Sequence, residues 1–197
     1  MQTRDRIMEA AEQLFGDVGF DATSTRMISE SSSTNKALIH YHFRSKEGLF
    51  LAVLDRYFEV LSSKLQGAIN IDGPITARLL NLISVYMDFL EENINYIRIV
   101  QREIMGGKNM ERVIKHMGPI FEIILKVMAD SYPRAQSGNF RVEQLTISFY
   151  GMVITYFTCS DVIKEFLHGD PMSKESIQER KNHLLAMAQI ILKVLEE

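Results

Sequence analysis

The sequence predicts an all-α protein: a small N-terminal module of three helices, a long helix leading out of it, and a larger C-terminal helical domain. Three observations predict this. Apolar residues recur at helical spacing along the chain, and nothing beyond residue 70 reads as a strand. Chain breakers fall between the periodic stretches, at Asp72-Gly73-Pro74, at Gly106-Gly107 and in Ser131–Phe140, a segment rich in Ser, Pro, Gly and Asn. The 197 residues are 46% hydrophobic and 24% charged, enough apolar material for a sizeable core and too much for a disordered chain.

In order along the chain, Ile7, Ala10, Ala11, Leu14, Phe15 and Val18 mark one face of a helix from Thr3 to Val18. Gly19 is placed to end it and Phe20 to supply the apolar contact that often follows. A second helix is expected over Thr25–Ser32, entered through a capping hydroxyl of Thr23 or Ser24. After a tight turn, Asn35 caps a third, KALIHYHF, in which Ile39 and Phe43 share an inward face. Lys36, Ala37, His40 and Tyr41 then point outward. Cation, imidazole and phenol donors with small or apolar residues between them suit the floor of a DNA major groove. Ser45 caps a fourth helix reaching about Ala68, with Glu47 in its first turn.

Charge supports a local docking surface. The net charge is −3, against indiscriminate nucleic-acid binding by the whole surface. Between Arg26 and Lys46, however, the cations Arg26, Lys36, Arg44 and Lys46 face only Glu30. Cys159 is the single cysteine, so an intrachain disulfide and a thiolate metal cluster are both excluded. There is no run of about 18 uncharged apolar residues, and Met1–Arg6 is too polar for a signal peptide, so a cytoplasmic protein with no membrane partner is expected.

AAEQLF, GFDATST, a helix-turn-helix ending in HYHF, and SKEGLF stand in an order and spacing that resemble the N-terminal domain of the TetR family of bacterial transcriptional regulators. The resemblance covers residues 4–54. It departs at the bend, where the family has Ala-Gly-Val and this chain has Ser32-Ser33-Thr34, and at His40, where the family has tyrosine. A left-handed serine at the glycine position costs about 1 kcal/mol. The resemblance implies that Thr25, Tyr41, His42 and Lys46 hold backbone phosphates. Arg26, Lys36, Ala37, Leu38 and His40 are then the candidates for base edges, with Asn35 at the head of the helix completing the DNA-facing set. The chemistry agrees: Arg26 and Lys36 can donate to guanine, and Leu38 can touch a thymine methyl. The domain organisation implied is residues 1–50 for DNA binding and 51–197 for effector binding and dimerisation.

The C-terminal part is read as helices from Ile75 to Asn93, Asn95 to Met105 and Asn109 to Asp130 (the last kinked or broken near Gly118-Pro119), then Leu145–Cys159 and Ser173–Leu195. The last two are apolar around much of their circumference and must be covered on more than one side. A homodimeric four-helix interface is the economical cover, through Tyr150, Met152, Tyr156, Leu184, Met187, Ala188, Ile191 and Leu195, and the resemblance implies it too; the alternative is a wholly intramolecular core. The resemblance also implies a small-molecule effector of unknown identity among the middle helices. Tyr86, Met87, Met105, Phe121 and Tyr150 offer adaptable apolar surface there, with Arg102, Glu103 and His116 as polar handles. A Met and aromatic stripe of this kind is more often core than pocket.

Other chemistries find little purchase. His40 and His42 diverge on a helix, and His116, His168 and His183 lie on separate segments without ligand spacing. There is no phosphate-cradling glycine loop or nucleophile elbow, so no cofactor, metal or enzymatic activity is expected. Cys159 sits in an apolar run and reads as an inert core thiol. These residues, with what the resemblance implies, read as a repressor that binds an inverted-repeat operator as a dimer and is released by a small apolar or amphipathic effector. The alternative is a helical lipid- or cofactor-binding protein of the same fold without operator binding, for which the Ser-Ser-Thr bend is the best support.

Overall fold

The computed structural model describes residues 2–106 and 109–196, so Gly107 of the expected breaker lies outside the described residues. Among these, the helices are α1 (Thr3–Asp17), α2 (Thr25–Ser31), α3 (Lys36–Phe43), α4 (Lys46–Ile69), α5 (Ile75–Glu92), α6 (Ile94–Ile104), α7 (Met110–Ser131), α8 (Val142–Thr158), α9 (Ser160–Leu167) and α10 (Lys174–Glu196). Two short 3-10 turns, Pro133–Gln136 and Gly138–Phe140, join α7 to α8. No strand occurs among the described residues. The fold is all-α, as the periodicity predicts.

Packing gathers the chain into two units, Met1–Val60 with Asn93–Val113 and Leu61–Glu92 with Ile114–Glu197. The division expected between residues 50 and 51 therefore falls inside α4, and α6 belongs with the N-terminal helices.

In the first unit, α1 buries Ile7, Met8, Ala10, Ala11 and Phe15, nearly the expected stripe. Val18 drops out of it: it is the C-cap of α1, and 47% of it is exposed. Phe15 sets its ring edge-on to Phe50 at 5.1 Å, and Phe20 lies 4.9 Å from the same ring. Each fully buried side chain of this size contributes about 1.5–3 kcal/mol. Three helices of this unit, α2, α3 and α4, gain definition from their caps. Ser24 Oγ accepts from Met27 N at 3.1 Å, Asn35 Oδ1 from Ala37 N at 2.9 Å, and Ser45 Oγ from Gly48 N at 3.0 Å. Thr23, the other candidate cap, is buried and instead donates its hydroxyl to Gly19 O at 2.7 Å.

Helix α6 lies along α1 because the surface there has been pared away. A Cβ on Gly16 would stand 2.7 Å from Asn95 Oδ1, far inside contact distance. Around that point Asn95 donates to Gln13 at 3.0 Å and Arg98 pairs with Asp17 at 3.2 Å. Arg102 donates to the carbonyls of Phe15 and Asp17, both at 3.0 Å, satisfying acceptors that the end of α1 leaves open.

In the second unit, Ile69, Leu79, Met128, Tyr132, Val142, Leu145, Leu192 and Leu195 form one core. Lys181 of α10 reaches Asp88 of α5 at 2.5 Å. Two features here are not settled by the sequence. Helix α7 runs through Pro119 rather than breaking at Gly118-Pro119. Lys115 and Pro119 are both exposed, so the carbonyl that loses its donor stands toward solvent, where a proline costs least. Helix α9, which was not anticipated, follows α8 after a bend of 79°. No single helix among the described residues is long and apolar enough to cross a membrane; only α8 and α9 taken together reach that length and composition, and the bend parts them.

Candidate nucleic-acid interface

Helix α3 is held by two residues and offers the rest. Ile39 is 1% exposed and Phe43 is 6% exposed, four positions apart, as a helix of this length requires for a single anchored face. Asn35, Lys36, Ala37, Leu38, His40 and Tyr41 are exposed, Tyr41 by 73%. His42 is half-buried, its ring 5.0 Å from that of Tyr41 and edge-on to it. On α2, Thr25 is half-buried and Arg26 is exposed, donating from Nε to Glu30 at 2.8 Å. That hydrogen bond, and then the carboxylate charge, push the Arg26 pKa further up, so the group stays cationic. This bond uses Nε alone and leaves the terminal guanidinium nitrogens to donate to a base.

Lys46 is differently placed from the rest. Its Nζ donates to the carbonyls of Phe20 and Thr23, both at 2.9 Å, and sits 4.2 Å from the centre of the Phe20 ring. It closes the loop between α1 and α2 onto the start of α4, with its ammonium turned inward.

The bend between α2 and α3 takes the strained form. Ser33 has φ of 50°, in the left-handed region, so the serine stands where a glycine is easiest. The sequence did not single out three residues that shape the surroundings. Arg6 of α1 reaches the bend, Arg4 lies 5.3 Å over the Phe43 ring, and Gly48 admits no side chain because a Cβ would fall 2.1 Å from Phe43 O. Gly48 follows SKE within the motif that carries the resemblance. The two arginines have no local sequence signal, since their partners lie far along the chain.

The other expected sites are rearranged by burial. Leu184, Ala188, Leu195 and Tyr156 are all buried within the subunit, so they do not offer surface to a partner. They are the inward stripe of α10 and α8. Met187 and Ile190 on α10, with Ile147 on α8, are the large apolar residues left outside, at 37%, 62% and 62% exposure; Tyr150, Met152 and Ile191 are half-buried. Between α8, α9 and α10 lies an open concavity of about 1150 Å3 lined by Ile147, Met152, Thr155, Phe166, Arg180 and His183, among others. Arg180 crosses it, donating to Met152 O at 2.8 Å with its guanidinium 5.6 Å over the Tyr156 ring, while the Tyr156 hydroxyl, its pKa pushed up by burial, donates to Pro171 O at 2.7 Å.

Of the expected effector-contacting residues, Arg102, Glu103 and Met105 belong to the N-terminal unit, and Tyr86, Met87, His116, Phe121 and Tyr150 to the other. Arg102 is committed to α1, and buried Glu103 accepts from Asn109 N at 2.9 Å and Asn109 Nδ2 at 3.1 Å. Met105 is 86% exposed, and Met87 is wholly buried. Phe121 and Tyr150 do meet, with ring centres 5.6 Å apart.

Residues 7–53 match the family model described as bacterial regulatory proteins, tetR family. They are a tetR-family domain. The matched segment holds α2, the bend and α3, so the tetR-family match falls on the candidate interface itself. Beyond it, a probable HTH-type transcriptional regulator from Bacillus subtilis, YttP, is 34% identical over 116 residues, which is 58% of this chain and 56% of that protein. The HTH-type transcriptional activator FasR of Mycolicibacterium smegmatis is 28% identical over 99 residues, 50% of this chain and 45% of the relative. These alignments thus span about half the length of the curated relatives. The fold likeness is more complete. A TetR-family transcriptional regulator from Bordetella parapertussis superposes with a TM-score of 0.78 over 95% of this chain and 94% of the other, at 14% identity.

Proposed function

We propose that the protein is a DNA-binding transcriptional regulator, a repressor that reads an inverted-repeat operator through α2 and α3 as a homodimer. The observation that carries this reading is the face of α3: Lys36, Leu38, His40 and Tyr41 exposed together on a helix anchored by Ile39 and Phe43 alone. Such a face presents hydrogen-bond donors for base edges and an apolar contact for a thymine methyl. The tetR-family match over residues 7–53 supports it. Residues 51–197 serve effector binding and dimerisation. The second copy covers the apolar edge left on α8 and α10, and its recognition helix stands about 34–36 Å from the first, one duplex turn.

A small apolar or amphipathic effector releases the operator by preferring a conformation whose recognition helices no longer match successive grooves. Helix α4 links the two activities, since it begins beside the recognition helix and its later residues belong to the second unit. Linkage then requires that effector and operator weaken each other by the same factor.

The test is binding to DNA from upstream of the protein's own gene across a salt series. Retention of that DNA over a scrambled duplex, with a steep salt slope, is the expected result. Equal and weak binding to every duplex favours the helical lipid- or cofactor-binding alternative.

A further inference from the structure

We infer that Arg6, on the first turns of α1, is a positioning residue that sets how α3 is presented to DNA. This deepens the reading of α2 and α3 as a DNA reader and rests on it. One guanidinium nitrogen of Arg6 donates to two successive carbonyls, Ser32 O at 2.6 Å and Ser33 O at 2.9 Å. Successive carbonyls reach one donor only when they converge, so this contact holds the peptide groups on both sides of Ser33. Ser33 is the residue at φ 50°, in a conformation that an L side chain disfavours and that nothing covalent imposes.

The surrounding bonds tie the same point down. Buried Ser32 donates its hydroxyl to Ile28 O at 2.7 Å and shares a hydrogen bond with Thr34 Oγ1 at 2.7 Å, while Thr34 N donates to Ser29 O at 2.9 Å. The carbonyls at this end of α2 carry partial negative charge, which the guanidinium offsets. Two residues later Asn35 caps α3, so any relaxation at Ser33 swings the whole recognition helix. Arg4, two residues earlier on α1, lies over Phe43 and meets α3 at its other end. The chain has replaced a conformationally free bend by a serine bend held from α1.

The test uses the full-length protein and two duplexes: one selected by the wild-type protein from a random-sequence pool, and a scrambled one of equal composition. Arg6→Leu is expected to lower the ratio of selected to scrambled affinity by about tenfold, the scale of a lost charged hydrogen bond, with scrambled binding little changed. Arg6→Lys, which keeps the charge but not the planar fork, falls between, and it carries the comparison if Arg6→Leu does not fold. Adding Ser33→Gly to either variant should restore most of the ratio, because glycine accepts the left-handed bend unaided. An equal loss on both duplexes would make Arg6 a phosphate contact and overturn the inference, as would an unchanged ratio or no rescue by Ser33→Gly. Amide exchange without DNA separates the two readings. Faster exchange at Ser33–Asn35 in Arg6→Leu, with α1 unchanged, is expected, and unaltered exchange refutes the hold on the bend. Failure of the wild type to select any sequence would instead refute DNA recognition itself.

Discussion

Helices α3 and α10 are both amphipathic, and they divide their faces in opposite ways. Helix α3 spends two residues on anchoring and leaves its chemistry outside. Helix α10 turns its strongest apolar stripe, Leu184, Ala188, Leu192 and Leu195, into its own subunit and leaves Met187 and Ile190 outside. In a short helix the exposed face is found by subtracting two anchors. In a long apolar one, the best stripe belongs to the chain's own core, and a partner can take only what remains. That difference explains why the exposed face of α3 was legible in the sequence, while much of the stripe expected for a partner on α10 is buried in its own subunit.

The largest effect that sharpens this contrast is expected from Leu184→Asp. A carboxylate at a wholly buried position costs at least about 4 kcal/mol, and urea denaturation should show the C-terminal helices lost or grossly destabilised. Near-native stability would mean that Leu184 is not core. Ile190→Asp, only six positions on, should leave the fold within about 0.5 kcal/mol of wild type yet convert dimer to monomer in sedimentation. A persistent dimer would move the interface away from the α8–α10 edge. On the other helix, Lys36→Ala should keep fold and dimer and relax preference at particular base pairs by about 1–3 kcal/mol, read by competition between operator variants. An unchanged preference removes Lys36 from the base-reading set. The smallest effect is expected from Ser24→Ala, which deletes the cap of α2 at a cost of about 1 kcal/mol and should be visible as an earlier thermal transition. No shift would mean that the cap is replaced by water.

Much of the N-terminal unit was legible because its signals are local. The caps at Ser24, Asn35 and Ser45, the i, i+4 anchors of α3 and the left-handed residue in the Ser-Ser-Thr bend all act within a few positions. The contacts that complete the site are not local. Arg6 meets Ser32 across 26 residues, and Lys46 meets Phe20 across the same distance, so no periodicity announces either. In the C-terminal part the sequence left kink and break open at Pro119, and the helix does not break there, because the cost of a proline depends on exposure, which the sequence does not carry. Helix α9 was missed because its eight residues show barely two turns of pattern, with Val162 and Phe166 left exposed.

The bare patch on α1 at Gly16 bears on how this protein can be rebuilt. A hybrid regulator made by cutting after residue 50 and attaching a foreign reading head would place Asn95 and Arg102 opposite an α1 with no vacancy for them. Any side chain at the Gly16 position would collide with Asn95, and the carbonyls that Arg102 holds at the end of α1 would keep their places only if the foreign helix packed as closely. The transplantable piece is therefore discontinuous: residues 2–60 together with α6, spliced at three junctions. A donor head joined at one junction would need glycine or alanine with a compensating truncation of Asn95 before it could fold against its new host.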